Sequence, residues 1–246
     1  MDSKSKKSHI FVLHIVKLVL RLILFGVALT IYIANRAWEG EGIFGNETTD
    51  LIMLATIFAL FLIDMIFRFF PSNVESKGCQ KQFAKNFIPT SEKIPQKQSP
   101  KPILIMFFIW TCLGALAGGL YFGGIINKGI LVIISLMYSV CDMICIMFFC
   151  PFQTFIMKNK CCTTCRIYNW DFIMIFTPLI FIVSVFSWGL IFVSLILLIQ
   201  WEIIYHKHPE RFAQNTNACL SCENCSEKSC HNKNKVKKLF GVTPKK

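Results

Sequence analysis

The fold class is decided by the stretch FIMIFTPLIFIVSVFSWGLIFVSLILLIQ, residues 172–200, which carries no charged side chain. A single straight helix over the whole run Asp171–Tyr205 would be about 50 Å long at ~1.5 Å per residue. The hydrocarbon core of a bilayer is only ~30 Å thick, and tilting does not absorb so large an excess. We therefore predict two short transmembrane helices joined by a tight turn at Ser187-Trp188-Gly189, where small residues interrupt the run.

Four other apolar runs of spanning length precede this one. They are Leu18–Trp38, Leu51–Phe70, Ile103–Ile126 and a run from Gly129 to about Met157. Apolar residues make up 54% of the 246 residues and charged residues only 16%, more apolar surface than one soluble core can bury. The sequence predicts an all-α multi-pass membrane protein with six spans. Residues 1–205 form the helical bundle, and residues 206–246 form a Cys- and Lys-rich tail that packs with the loop 158–171.

The orientation follows from the charged segments between the runs. Basic residues exceed acidic ones by four in the loop 71–102 and by five in the tail from Glu202, whereas residues 35–50 have a net charge of −3. Because Lys and Arg mark cytoplasmic loops, both termini are predicted to be cytoplasmic. The Lys-rich stretch Lys228–Lys246 is expected to contact anionic lipid headgroups. Nucleic acid is not an expected partner, since no recognition module accompanies this stretch.

Eight of the twelve cysteines lie in segments assigned to the cytoplasmic side. They are Cys79, Cys161, Cys162, Cys165, Cys219, Cys222, Cys225 and Cys230. A reducing cytosol keeps thiols free or metal-bound, so these eight are predicted metal ligands. The alternative, that cysteine serves as a small apolar residue, is the interpretation adopted for the four cysteines in the spans. These are Cys112, Cys141, Cys145 and Cys150.

The spacing of two cysteine clusters supports the metal prediction. Cys161–Cys165 contains a C-x2-C pair, and Cys219–Cys230 reads C-x2-C-x2-C-x4-C. Two intervening residues let both sulfurs reach one ion in a tight turn. The second cluster resembles the ligand run of bacterial-type ferredoxins, although their fourth cysteine comes one residue earlier and precedes Pro, where His231 stands here. The resemblance covers this cluster alone and implies an iron–sulfur cofactor, with zinc held by thiolates as the alternative.

Three functional hypotheses follow. The first is a membrane redox protein whose iron–sulfur clusters pass electrons to a membrane or soluble partner protein. The second is a scaffold or assembly factor stabilised by structural zinc. The third is a small transporter that uses Asp142 with Cys141 and Cys145, because a carboxylate near the middle of a span is costly and usually functional. No hydrolase or nucleotide-binding motif is present, so no catalytic residue is identified and enzymatic activity is left open.

Some polar and small residues of the spans are expected to serve packing. Asp64 and Arg68, four residues apart, are expected to pair on one helix face, and Arg21 is expected to extend to the lipid headgroups. The third span carries glycines at small-xxx-small spacing, which lets a neighbouring helix approach closely. These glycines are Gly114, Gly118, Gly119, Gly123 and Gly124.

Overall fold

The computed structural model of the protein describes residues 9–37, 43–44, 46–72, 75–96, 98–159, 161–224 and 233. The α-helices are α1 His9–Ala37, α2 Glu47–Phe69, α3 Lys77–Gln80, α4 Pro100–Phe122, α5 Lys128–Met147, α6 Asp171–Phe176 and α7 Val185–Lys207. Short 3₁₀ turns lie at Ala84–Asn86, Cys162–Thr164, Tyr168–Trp170, Thr177–Phe181, Pro209–Arg211 and Ala218–Leu220, and a π-helical turn at Phe152–Ile156. Within these residues the chain has no β-strand, only an isolated bridge between Pro89 and Asn217.

Among the described residues, five helices are long and apolar enough to cross a membrane: α1, α2, α4, α5 and α7. Each has at least 20 residues, close to the length that a ~30 Å hydrocarbon core requires. The prediction of an all-helical protein of membrane type is therefore confirmed. The number of crossings and the orientation of the termini stay predictions.

The last apolar run is divided, but not where the sequence predicted. The helical path breaks at residues 182–184, where Ile182 and Ser184 have extended backbones. The predicted turn residues Ser187-Trp188-Gly189 lie inside α7. The two small residues among them serve packing instead: Ser187 is buried, and a Cβ on Gly189 would lie 2.9 Å from the ring of Phe58 on α2. The position predicted for the turn was therefore wrong.

The segment before the break, residues 171–181, is called the short arm. It consists of the six residues of α6 and the five of the following 3₁₀ turn, and it is shorter than the ~20 residues of a full span. Its start lies beside the end of α7, because Trp170 Nε1 donates to Glu202 and Trp201 Nε1 donates to the carbonyl of Arg166, at 2.8 and 2.9 Å. The short arm and α7 therefore form an antiparallel hairpin with unequal arms.

The short arm occupies the centre of the bundle. Phe172 and Phe176 have no exposed surface, and Ser135 of α5 donates to the carbonyl of Ile175 at 2.8 Å. On its other side lies α4, whose Gly118 would place a Cβ 2.4 Å from the ring of Phe181. Around this centre α1 packs on α5 and α2 packs on α7.

Of the five glycines that were predicted to let a neighbouring helix approach closely, only two take part in this contact. Gly114 and Gly118 of α4 approach the short arm closely, whereas a Cβ on Gly119 would meet no described atom within 4 Å. Gly123 ends α4, and Gly124 has a positive φ of 71° in the turn that follows. Positive φ is readily adopted only by glycine, so Gly124 serves the turn rather than helix packing.

One end of the bundle carries a folded cap, made of residues 75–96, 161–170 and 208–220. Its polar side chains bind mostly to backbone carbonyls from other segments. The buried Lys81 donates to the carbonyls of Thr163 and Cys165 at 2.9 and 2.6 Å, and Asn169 donates to the carbonyl of Cys79 at 3.1 Å. These bonds hold the loop before the short arm against the segment after α2, and Arg211 of the tail donates to the carbonyl of Gln82 in the same segment at 3.1 Å.

Candidate functional site

The first feature of the site is a chain of buried charges that begins on α1. Arg21 contacts Asp64 of α2 and Asp142 of α5 at 2.7 and 3.0 Å and donates to the carbonyl of Ser139 at 2.9 Å. Lys17, one helical turn earlier, pairs with Asp64 and Glu75. The order Glu75–Lys17–Asp64–Arg21–Asp142 is called the ionic network. It contains three carboxylates and two basic groups.

The ionic network corrects two expectations. Arg21 is buried inside the bundle rather than extended to the headgroups. Asp64 does not pair with Arg68, which contacts Asp171 of the short arm at 2.7 Å and stacks over the Phe172 ring. Charges in a bilayer interior are tolerated only when they are paired. Asp64 and Arg68 are both paired, but with residues of other segments rather than with each other.

The second feature is a cavity of about 470 Å³ between α4, α5, the π-helical turn and the short arm, called the thiol cavity. Its walls are mostly apolar and include Met106 and Trp110 from α4 and Ile175 from the short arm. The polar lining comes from Asp142, Asp171, Tyr138, Gln153 and five cysteines: Cys141, Cys145, Cys150, Cys162 and Cys165. Leu113, Met137 and Ile144 of the lining are exposed, so the cavity is open rather than enclosed between α4 and α5.

The third feature is a pair of thiols on the cavity wall, Cys145 and Cys150, called the cavity dithiol. The sequence predicted that α5 would continue to about Met157, but it ends at Met147. The residue before a proline disfavours helical conformation, and Cys150 precedes Pro151. The chain turns back over the last turn of α5, where the amide of Phe149 donates to the carbonyl of Ile144 at 3.2 Å. This turn places the thiol of Cys150 beside that of Cys145, close enough for the two to interact.

The surroundings of Cys150 favour its thiolate. The hydrogen bond from the Cys145 thiol, the amide of Gln153 at 3.3 Å and the charge of Lys233 outweigh burial and lower the pKa of Cys150 to about 7. The neighbouring Cys162 differs, because burial raises its pKa to about 12 although Lys233 lies 3.1 Å from its sulfur. Cys150 is therefore the thiol of this site that is poised to react as a nucleophile near neutral pH.

The cysteines predicted as metal ligands are placed differently. Cys79, Cys162, Cys165 and Cys219 are buried, Cys161 is half-buried and Cys222 is exposed, while Cys225 and Cys230 lie outside the described residues. In the part of the chain that the structure describes, no three His, Cys, Asp or Glu side chains come together in a group that could hold a metal ion. Burial raises the pKa of Cys79 and Cys165, which disfavours the thiolate that a metal requires. The described thiols alone do not fit a four-thiolate site.

The structure brings the three residues of the transport hypothesis together. Asp142, Cys141 and Cys145 all line the thiol cavity. Asp142 also pairs with Arg21, so its carboxylate is held at the cavity wall by a fixed cation. This is the placement that the hypothesis requires, and transport itself stays a prediction.

Sequence reasoning missed Cys150 and Arg21. The signal for Cys150 was its position before Pro151, which ends α5 early and brings the thiol back to Cys145. The signal for Arg21 was its spacing of four from Lys17, which puts two basic groups on one face of an apolar helix. Such a face needs acidic partners on neighbouring helices.

Together these features give an open apolar chamber between α4 and α5, a fixed ion pair at its wall and a dithiol with one thiol poised to ionise. Apolar cavities of ~300–1,000 Å³ with a few polar groups are typical small-molecule sites. Comparison of the chain with protein-family models, curated proteins and solved structures gives no match.

Proposed function

We propose that the protein binds a small amphipathic molecule inside the membrane, within the thiol cavity. The observation that carries the proposal is the cavity of about 470 Å³ that is lined mostly by apolar side chains and has Asp142 at its wall. This combination of size, apolar lining and few polar groups is the usual form of a small-molecule site.

The ion pair at the wall supports the proposal. Burying an ion pair is often less stabilising than filling the same volume with apolar side chains, so a pair retained within a membrane bundle marks a functional position. Arg21 is fixed by Asp64 and by the carbonyl of Ser139, which holds its guanidinium against Asp142. A ligand with one polar end can therefore be oriented toward Asp142, with its apolar part against α4 and the short arm.

The opening of the cavity supports a ligand that is dissolved in lipid. Leu113 on α4 and Met137 and Ile144 on α5 belong both to the cavity lining and to the exposed bundle surface. A lipid-soluble molecule can enter between these helices without crossing a charged surface. Trp110 and Tyr138, whose ring centroids lie 5.2 Å apart, flank the chamber and offer aromatic surface to a flat ligand.

In this proposal the cap and both termini face the cytoplasm, and the short arm is the fifth of six crossings. The excess of basic residues in the loop 71–102 and in the tail supports this orientation. In the Lys-rich stretch Lys228–Lys246, Lys233 is buried beside Cys162. The other lysines lie outside the described residues, and we propose that they contact anionic headgroups.

The iron–sulfur and zinc hypotheses rest on the cysteine spacing alone. A redox partner protein is expected only under the iron–sulfur hypothesis. Anaerobic purification followed by visible absorption and metal analysis separates them. An iron–sulfur cluster predicts a reducible chromophore with iron and labile sulfide. Structural zinc predicts a colourless protein with stoichiometric zinc.

The binding proposal is tested by native mass spectrometry of the protein released from nanodiscs made with one defined phospholipid. We expect one additional bound molecule, acquired in the cell, on the wild type. Cys141→Phe should prevent its retention by filling the cavity. Cys112→Phe is the matched control, because Cys112 is exposed on α4 and does not line the cavity. If the wild type retains only the added phospholipid, or if Cys141→Phe retains the molecule as well as the control does, the proposal fails.

A further inference from the structure

The cavity dithiol lies where it can exchange electrons with a molecule bound in the thiol cavity. Cys145 lies in the last turn of α5 and Cys150 lies three residues beyond its end. Both line the cavity, and the bond from the amide of Phe149 to the carbonyl of Ile144 folds the chain so that the two thiols lie beside each other. Because the two cysteines belong to one local turn, movement of that turn can bring their sulfurs to the ~2.05 Å length of a disulfide bond. The pair can therefore be oxidised without rearranging the helices of the bundle.

The two thiols have different roles in such an oxidation. Cys150 is the attacking thiol, because a hydrogen bond from Cys145, the amide of Gln153 and the charge of Lys233 all favour its thiolate. Cys145 supplies the second sulfur. Thiol oxidation is fastest when the attacking thiol ionises near the ambient pH, which the lowered pKa of Cys150 satisfies.

The chemistry of the pair restricts the class of oxidant. A dithiol that becomes a disulfide loses two electrons and two protons, so one oxidant molecule that accepts both is the simplest partner. The oxidant must also be soluble in lipid, because the cavity opens between α4 and α5. A flat ring suits the aromatic side chains of Trp110, Tyr138 and Phe152 in the lining. Quinones meet all of these requirements.

We infer that Cys145 and Cys150 form a redox-active dithiol that reduces a quinone bound in the thiol cavity. In this step the S–H bonds of both cysteines break and one S–S bond forms. The two electrons and two protons that leave the thiols convert the quinone to the quinol. The inference rests on the proposed function and names the ligand class of the same cavity.

The test uses tetramethyl-1,4-benzoquinone. Its ring carries no hydrogen that could be lost after a thiolate adds, so it does not form a stable thioether with the protein. The full-length protein is reduced, freed of reductant under anaerobic conditions and mixed with this quinone. We expect one quinol per protein by absorbance and a Cys145–Cys150 disulfide by peptide mass mapping. The rate should fall at least 100-fold in Cys145→Ser and in Cys150→Ser.

Cys112→Ser serves as the control, because it removes an exposed thiol that does not line the cavity. It should keep the wild-type rate, and thermal unfolding in detergent checks that the two dithiol variants are folded. A quinone that binds without forming a disulfide, or a disulfide between other cysteines, overturns the inference but leaves the binding proposal intact. If native mass spectrometry shows that no molecule occupies the cavity, the proposed function falls as well.

Discussion

The cavity dithiol and the cysteines of the cap differ in what surrounds their sulfur atoms. The cap cysteines include Cys79, Cys165 and Cys219, which are all buried. Cys79 and Cys165 lie in one apolar cluster with Trp201 and Phe212, where burial raises their pKa. At Cys150 the neighbouring Cys145 thiol and the amide of Gln153 instead outweigh burial and lower the pKa. The regular spacing of thiols along the chain therefore does not identify the reactive ones, because the balance between burial and the donors around each sulfur decides its reactivity.

The polar groups near the two sets of thiols also differ. On the cavity side, the wall is fixed by ion pairs that join three helices through Arg21. In the cap, Lys81, Gln82 and Asn169 bind backbone carbonyls, and Arg166 pairs with Glu202, whose carboxylate is partly exposed. The cavity side should consequently be the part of the molecule more sensitive to the loss of one charge.

The largest expected effect comes from Arg21→Met. This variant leaves Asp64 with one basic partner and Asp142 without its guanidinium in a buried setting. Removing one member of a buried ion pair costs about 3–5 kcal/mol of the free energy of unfolding. Chemical unfolding in detergent micelles measures this loss. Arg36→Met, at an exposed position near the end of α1, is the matched control and should stay within ~0.5 kcal/mol. Equal losses in both variants would mean that the ionic network contributes no more to stability than an exposed charge.

The next prediction compares the thiols directly. Alkylation of Cys150 by iodoacetamide should rise with pH around a midpoint near 7, because the thiol is neutral below its pKa of about 7 and a nucleophilic thiolate above it. Cys165, whose pKa is raised by burial, should react at least 100-fold more slowly at pH 7. Mass-spectrometric mapping of the labelled peptides gives both rates in one sample. A Cys165 rate equal to that of Cys150 would contradict the contrast.

Much of the fold is readable from the sequence because long uncharged runs have few stable states in a bilayer. The five long helices lie where such runs were found, and the run 172–200 is divided as its length requires. The position of the division was not predictable, since Ser187 and Gly189 are equally suited to a turn and to close packing. Their packing partner, Phe58, belongs to another helix, and a local pattern does not reveal it.

The candidate site was less predictable than the fold. The sequence indicated Asp142 because a mid-span carboxylate is costly, and Asp142 does line the cavity. Cys145 and Cys150 have no metal-type spacing. Cys150 was interpreted as a small apolar residue, and Cys145 either in the same way or as a transport residue beside Asp142. Their contact depends on the early end of α5 at Met147. Such tertiary contacts decide the chemistry of a thiol and leave little trace in the local sequence.

A smaller effect is expected where α4 meets the short arm, since both form walls of the cavity. In Gly118→Ala the new Cβ would lie 2.4 Å from the ring of Phe181, and overpacking of this kind costs about 1–3 kcal/mol. Gly119→Ala is the matched control, because its Cβ would meet no described atom within 4 Å. Thermal unfolding in detergent should separate the two variants. Equal transitions would indicate that the short arm can move away from α4 without loss.

The smallest expected effect distinguishes packing from metal ligation in the tail. Cys219 is buried and Cys222 is exposed, although they form one C-x2-C pair. If Cys219 serves packing in the cap, Cys219→Ser buries a hydroxyl in its place and should lower the free energy of unfolding by about 1 kcal/mol. Cys222→Ser should then change it by less than ~0.5 kcal/mol.

A metal centre predicts a different pattern from the same two variants. Both sulfurs would be ligands of one ion, so either substitution should release bound iron or zinc and destabilise the protein to a similar extent. Thermal unfolding combined with metal analysis of the wild type and both variants measures the two outcomes together. Unequal stability losses without metal release would identify Cys219 as a packing residue. Equal losses with metal release would instead place a metal site in the cap and extend reactive thiol chemistry beyond the cavity dithiol.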